Sequence, residues 1–524
     1  MQMRVEFRHE LRSSRRLVFE NIMDLEHVPV VHRRWFGAVR IRQQRPDYVE
    51  YRLTSYFFGL KQHILARGGP IDDDHYWYEF VLPLATARVD GSLAGTDGNL
   101  TQTETITFRF PLILTPLFWL LKPLLLRQKQ DILKCDTDLL EREYALEQSG
   151  FRRHEHRAPR IVVYGGNGFF GKLVVEELLR HTTADILIAS RKAKYLDFGS
   201  QQARVKFAES DLSNYGSVLR TIDGASIAML CGGPFQRTPQ SLLRACVEKK
   251  ISYIDIADDR SFVDTAHKLA ADVEKAGIAA FIGCSVVPGL TSLFTQFSRA
   301  QVGSIEKVDI AISPGTKHPR GPASFECLLT TVGEQFGKAS VRGWSEPRSV
   351  DFPSPMGWRT VYRVVDIADY FVQPHYFGTK AVEFRIGSEL LILNLLFSWL
   401  AALRGKLGMP AKFLIAPSRL AVALFAPFGT SQGGVWIRIE GRLDGEHRQV
   451  EWAVWANERG ERIPAVPAAI AAAMLLAGKV PKEGIVPPNW ISYEQLVAEL
   501  LTRGIRVASR ANSSDPWHLV SAAA

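Results

Sequence analysis

Apolar residues along this chain change their period partway. In residues 5–11, and in several stretches between 39 and 110, they alternate with polar residues, which predicts strands with one buried face. Residues 14–35 contain a helical spacing, and from about 117 to 148 the spacing of three and four continues as one long helix. A strand, a helix, an antiparallel meander and a long last helix predict a curved sheet gripping a helix around an apolar cavity. Residues 1–147 therefore read as an α+β helix-grip domain, and the polar segment 148–159, ending in Pro159, as a linker.

Beyond the linker the pattern is of another kind. Short strand-like stretches, mostly apolar, at 161–164, 185–190, 204–208, 226–231, 252–256 and 278–282 alternate with helical stretches at 169–179, 214–222, 239–249 and 262–275. Strands alternating with helices predict a parallel sheet covered on both sides, with ligands at the carboxyl ends of its strands. The expected class is α/β: a Rossmann-type sheet over 160–290 with an inserted α+β substrate and dimerisation domain over 291–505, the latter carrying C-terminal helices. Apolar runs at 390–400 and 413–416 read either as a buried helix and strand of that domain or as a greasy substrate site. The polar end, residues 506–524, reads as a flexible tail.

The first strand of the α/β part runs into Gly165-Gly166-Asn167-Gly168-Phe169-Phe170-Gly171 and then a helix. Glycines let the backbone turn tightly against a diphosphate, and the amides and positive end of the following helix attract its charge. Gly165, Asn167, Gly168, Phe169, Phe170 and Gly171 are accordingly the expected cofactor contacts. The next strand ends in Ser190-Arg191-Lys192, where NAD-binding chains carry a carboxylate for the ribose hydroxyls. A guanidinium there suits the 2′-phosphate of NADP, so the expected cofactor is NADP with Arg191 as reader; a solvated basic pair is the alternative. Ser190, Asp211 and the turn Gly232-Gly233-Pro234-Phe235 complete the expected cleft. A proton donor is not singled out among Tyr253, Asp255, Asp258, Asp259 and Cys284, although Asp255 is expected to face neighbouring backbone. The spacing Tyr376-x-x-x-Lys380 resembles that of short-chain dehydrogenases, but it lies far beyond the sheet and is set aside.

Four motifs in order, the glycine turn, Cys231-Gly-Gly-Pro-Phe235, Tyr253-Ile-Asp255, and Gly283 followed by Pro288-Gly289-Leu290, resemble the saccharopine dehydrogenase/reductase-like oxidoreductases over residues 160–505. The segment 463–478 with 484–488 resembles that family's returning helix. The resemblance implies NADP-dependent hydride transfer, in some relatives on amino acids and in others on lipid double bonds. No arginine pair is placed by motif to clamp an amino-acid carboxylate, and a small apolar or lipid-like substrate is expected.

Residues 1–147 resemble the START-like superfamily, and within them Glu20-Asn21-Ile-Met-Asp24-Leu-Glu-His27-Val-Pro-Val-Val-His32 resembles the iron-binding segment of Rieske-type ring oxygenases. That resemblance implies Fe(II) held by His27, His32 and a carboxylate from the last helix, for which Asp131 is expected, with Asp24 linking to an electron donor. The chain departs from that family in lacking its Cys-x-His and Cys-x-x-His cluster motifs. A metal centre and a plain hydrophobic-ligand cavity both stay open.

Composition adds bounds. A length of 524 residues suits about three units. The net charge of +9 is spread without a long basic run, so nucleic acid is not an expected partner, while peripheral contact with an anionic membrane stays open beside ordinary solvated faces. The five scattered cysteines and the charged start fit a cytoplasmic protein, free or membrane-associated, and a homodimer is the expected assembly.

Overall fold

The computed structural model describes residues 2–25, 27–32, 34–45, 47–57, 60–82, 84–149, 158–192, 196–318, 332–336, 341–363, 367–410, 412–480 and 484–521. The expected linker lies mostly outside these residues. The chain gathers into two compact units, residues 1–158 with 191–209, and residues 159–190 with 210–524.

The first unit begins with β1 (Gln2–Leu11), α1 (Arg15–Met23) and the short α2 (Val28–Val31). Ser14 starts α1, its hydroxyl accepting from the Leu17 amide at 3.3 Å. Six strands follow: β2 (Phe36–Arg45), β3 (Tyr48–Phe57), β4 (Leu60–Pro70), β5 (His75–Leu82), β6 (Ala85–Thr96) and β7 (Asn99–Arg109), then α3 (Thr115–Gln148). The sheet is antiparallel in the order β1-β7-β6-β5-β4-β3-β2. Leu11, Leu17, Val18, Leu93, Leu100 and Leu140 form one core beneath it. The interior is not wholly apolar, as expected from alternation: Gln102 and Glu104 share a strand face with buried Leu100 and Ile106. Glu104 accepts from the Tyr76 hydroxyl at 2.7 Å and pairs with Lys129 of α3.

In the second unit β8 (Arg160–Tyr164), α4 (Phe169–His181) and β9 (Asp185–Ser190) follow one another; the strand expected at 204–208 is β10 (Val205–Glu209), which is grouped with the first unit. Next come α5 (Tyr215–Ile222), β11 (Ile227–Leu230), α6 (Ser241–Lys249) and β12 (Ser252–Asp255). The helix expected at 262–275 is two, α7 (Arg260–His267) and α8 (Ala270–Ala276), with Leu269 buried at the break. After β13 (Ala279–Phe281) the chain leaves this sheet through α9 (Thr291–Val302).

The excursion comprises β14 (Ser304–Pro314), the short β15 (Gln335–Phe336) and β16 (Val341–Arg342), β17 (Ser345–Phe352), β18 (Gly357–Arg363), α10 (Asp369–Phe377) and β19 (Ala381–Ile386). It continues through α11 (Leu391–Leu407), α12 (Lys412–Phe425), β20 (Gly433–Leu443), β21 (Glu446–Ala456) and α13 (Val466–Leu476). The chain then returns as β22 (Gly484–Ile485), pairing parallel with β13, before α14 (Tyr493–Thr502), β23 (Ile505–Arg510) and β24 (His518–Leu519). Strands β9-β8-β11-β12-β13-β22 lie parallel in that order, so the winding reverses between β8 and β11. That reversal opens the crevice in which such sheets hold ligands.

Strands β17-β18-β19-β14-β20-β21-β23-β24 form the other sheet, packed on α9, α13 and α14 through Phe294, Val308, Ile437, Trp452, Ile470 and Leu500. Two expectations change here. Residues 413–416 are helical, part of α12, because the run continues at helical rather than alternating spacing. The supposed tail enters this sheet: β23 pairs antiparallel with β21, Val507 and Ala508 are buried, and Arg510 meets Glu451 at 2.8 Å. Among the described residues, no helix is long and apolar enough to cross a membrane.

Candidate functional site

The turn between β8 and α4 has the geometry its glycines suggest. Gly165 adopts φ +78°, and a Cβ there would lie 2.5 Å from Gly232 backbone; a Cβ at Gly171 would lie 2.1 Å from the Gly165 carbonyl oxygen. Backbone packs on backbone here, and only glycine permits it. Helix α4 starts at Phe169 with no side-chain cap, leaving its first-turn amides for an anionic ligand. The Asn167 amide donates to the Ser190 hydroxyl at 3.0 Å, tying the turn to the end of β9. Arg191 follows directly and is exposed, with no carboxylate beside it in sequence. Asp211 is exposed as well, and its carboxylate is turned back on its own loop, accepting from the Ser213 amide at 2.9 Å.

At the end of β11, the Gly232–Phe235 turn borders the Gly165 backbone, and the Phe235 ring meets Phe262 edge-on at 5.3 Å. At the end of β12 the candidate proton donors separate. Tyr253 is fully buried, and burial followed by the neighbouring Asp255 raises its pKa well above the usual range. Asp255 is also fully buried, and its Oδ1 accepts from the Ala257 amide at 3.0 Å and the Gly283 amide at 2.7 Å. It pins two strand ends together. Cys284 is buried, which pushes its thiol far up and makes it inert. Asp259 caps α7 by accepting from the Phe262 amide at 2.8 Å. Asp258 differs: its side chain reaches solvent, yet the protein crowds around it closely enough to push its pKa up to about 6.

A small cavity of about 40 Å³ opens beyond β13, lined among others by His267, Cys284, Pro288, Ser292, Tyr376 and Trp490. His267 donates from Nδ1 to the Val263 carbonyl at 2.9 Å, which leaves Nε2 to accept from the Tyr376 hydroxyl at 3.2 Å. Lys380 takes no part: it is largely exposed and faces Glu306. Beside the cavity, buried Asp369 accepts from the Thr291 hydroxyl at 2.6 Å and the Gln373 amide at 3.0 Å. Sequence reading missed His267 and Asp369, since neither stands in a motif.

In the first unit, His27 and His32 do come together, but around Asp136 and not Asp131. Asp136 Oδ1 lies 2.9 Å from His32 Nε2 and 3.6 Å from His27 Nε2. Asp131 is half-exposed and lies 3.5 Å from Arg34. His27 Nδ1 donates to the Asp24 carbonyl, which fixes its ring with Nε2 toward Asp136. Burial works against charge on His27, but the hydrogen bond and charge of Asp136 outweigh it and its pKa is raised; Asp136 is held well below the usual range despite its burial. His32 is 4 % exposed, and its Nδ1 has no hydrogen-bond partner. Two imidazoles and a carboxylate offer ligand atoms within 4.8 Å of one another. Ligands around one cation at ~2.1 Å stand about 3.0–3.4 Å apart, so these atoms, spread over as much as 4.8 Å, would have to draw closer to hold a transition metal.

The reversed parallel sheet and the uncapped helix start after a glycine turn define a Rossmann-type fold, the class that holds dinucleotides. Residues 161–281 match the family described as Saccharopine dehydrogenase NADP binding domain. A saccharopine dehydrogenase-like oxidoreductase of Rattus norvegicus is 27 % identical over 131 residues, 22 % of this chain and 30 % of that protein. A trans-acting enoyl reductase of Mycobacterium tuberculosis (strain ATCC 25618 / H37Rv) is 28 % identical over 150 residues, 27 % of this chain and 36 % of its own. The chain thus spans about a third of the length of these relatives. Among solved structures, apo saccharopine dehydrogenase (L-Glu forming) from Saccharomyces cerevisiae aligns over 68 % of this chain and 100 % of its own, at 13 % identity and a TM-score of 0.47.

Proposed function

We propose that this protein is an NADP-dependent oxidoreductase acting on an apolar, lipid-like substrate. The observation that carries the reading is the Gly165–Gly171 turn, where backbone contact leaves room for nothing but glycine at the start of an uncapped helix. The basic end of β9 selects the phosphorylated cofactor, and the likeness to an enoyl reductase favours an apolar substrate over an amino acid.

The cofactor supplies hydride; the chain does the rest. Amides at the start of α4 hold the diphosphate, Arg191 pairs with the 2′-phosphate, and the Gly232–Phe235 turn walls the reacting end. Asp258, exposed just beyond the end of β12, delivers the proton that balances hydride addition. The first unit holds the same or a related apolar ligand and raises its local concentration. Fluorescence titration of the full chain with NADPH and NADH tests the assignment: tighter binding of NADPH is expected, and binding of neither, or preference for NADH, overturns it.

The histidine cluster favours a second reading for the first unit, a non-haem metal centre of His27, His32 and Asp136. Elemental analysis of protein grown with iron should find metal that His27→Ala and Asp136→Asn remove and Asp131→Asn keeps; equal metal content in all four proteins ends this reading.

A further inference from the structure

Helix α11 is apolar on both sides. Leu393, Phe397, Leu400 and Ala401 are buried in a core with Trp344 and Tyr362, at the spacing of one helical face. On the opposite side Leu391, Ile392, Leu395 and Trp399 are 52–60 % exposed. Helix α12 repeats the arrangement: Leu414 and Ser418 are buried, whereas Leu420 and Leu424 are 71 % and 65 % exposed, and Phe428 just beyond is 76 % exposed. Scattered exposed leucines are ordinary, but a run of them on two consecutive helices marks a surface built to meet something apolar.

The charges indicate what that is. Residues 391–428 contain four basic residues, Arg404, Lys406, Lys412 and Arg419, and not one Asp or Glu. Arg404 is spent inside, donating to the Met409 carbonyl at 3.0 Å and to the Val332 carbonyl, and it neutralises the exposed carboxylate of Glu334. Lys406 and Arg419 are exposed beside the apolar face. An apolar face on two helices that carry bases and no acid of their own complements a bilayer with anionic headgroups, which attracts each base. Trp399 suits the depth where headgroups meet acyl chains. At 17 and 14 residues, with Pro417 within the second, these helices are shorter than the ~20 apolar residues of a span.

We propose that α11 and α12 lie in the headgroup plane of an anionic membrane, with Leu391, Leu395, Trp399, Leu420 and Leu424 entering the acyl boundary. This does not depend on the NADP assignment, and its test does not use the cofactor. The full chain is floated with phosphatidylcholine vesicles with or without about 30 % phosphatidylserine. Binding to the anionic vesicles is expected, weakened about tenfold or more by Leu395→Glu with Trp399→Glu, and several-fold by Lys406→Glu with Arg419→Glu or by high salt. Unchanged melting temperature confirms that these exposed substitutions leave the fold intact. Failure of the unaltered protein to float, or equal flotation of the Leu395/Trp399 variant, overturns the proposal. So does a dimer in light scattering that the Leu395/Trp399 variant breaks, because the face then belongs to a second copy of this chain.

Discussion

Arg191 and Asp258 are single side chains on which the proposed chemistry turns. A charge-assisted contact to a phosphate contributes roughly 1.5–3 kcal/mol, so Arg191→Ala should raise the NADPH dissociation constant about 10–100-fold and leave that of NADH unchanged. Parallel titrations check this. Asp258 donates only while protonated, and its pKa lies near 6, so turnover should fall as pH rises through that value. Asp258→Asn should lower kcat by about 10²–10⁴ and abolish that limb of the pH profile, with NADPH affinity intact. The glycine turn and Arg191 were legible in the sequence because their meaning is local: spacing fixes the turn, and the strand end follows it. Asp136 was not. Choosing between it and Asp131 requires knowing which side of a 34-residue helix faces inward. Buried Leu140 supplies the answer: Asp136 is one turn away, whereas Asp131 is nine residues away, about 900° of rotation and hence on the opposite side.

At the scale of elements, α10 is held to α9 by a carboxyl group in the core. Asp369 is fully buried, and burial raises its pKa to about 6 against its hydrogen bonds from Thr291 and Gln373. The folded state therefore retains a proton that the unfolded chain releases near pH 4. This contribution to stability is complete below about pH 4 and is lost as pH rises to about 6. Asp369→Asn, which keeps an acceptor without a charge, should flatten the pH dependence of the melting temperature across that window; an unaltered slope argues against it. Strand β23 shows why element reading failed at the chain's end. Ser509 and Arg510 look like a solvated tail, but Arg510 is buried between Glu451 and Asp351, at 2.8 and 2.9 Å. A charge neutralised by partners from distant strands cannot be told from a free one in sequence. The same holds for α11, whose continuous apolar run suggested a buried helix and not one with half its surface bare.

At the scale of the molecule, the returning chain is fastened to the cofactor fold by charge. Glu177 of α4 is fully buried and accepts from Arg462 at 3.0 Å and from Arg503 at 3.2 Å, the latter also buried. Replacing it by glutamine leaves Arg462 without its counter-ion and buried Arg503 with Glu499 alone, and a loss of about 3–5 kcal/mol is expected in denaturant unfolding; a loss below 1 kcal/mol contradicts the role. Alternating strands and helices made the fold class legible from the pattern alone, because each parallel strand needs its own crossover. The late arrival of β22 has a further consequence for biosynthesis. Ala279–Phe281 emerge from the ribosome long before Gly484 and Ile485, so the nascent sheet waits with one flank unpaired while the whole intervening stretch is made. A gene shortened to residues 160–290 makes that wait permanent. Its product offers bare amides and carbonyls to its neighbours and should self-associate in sedimentation where the full chain does not.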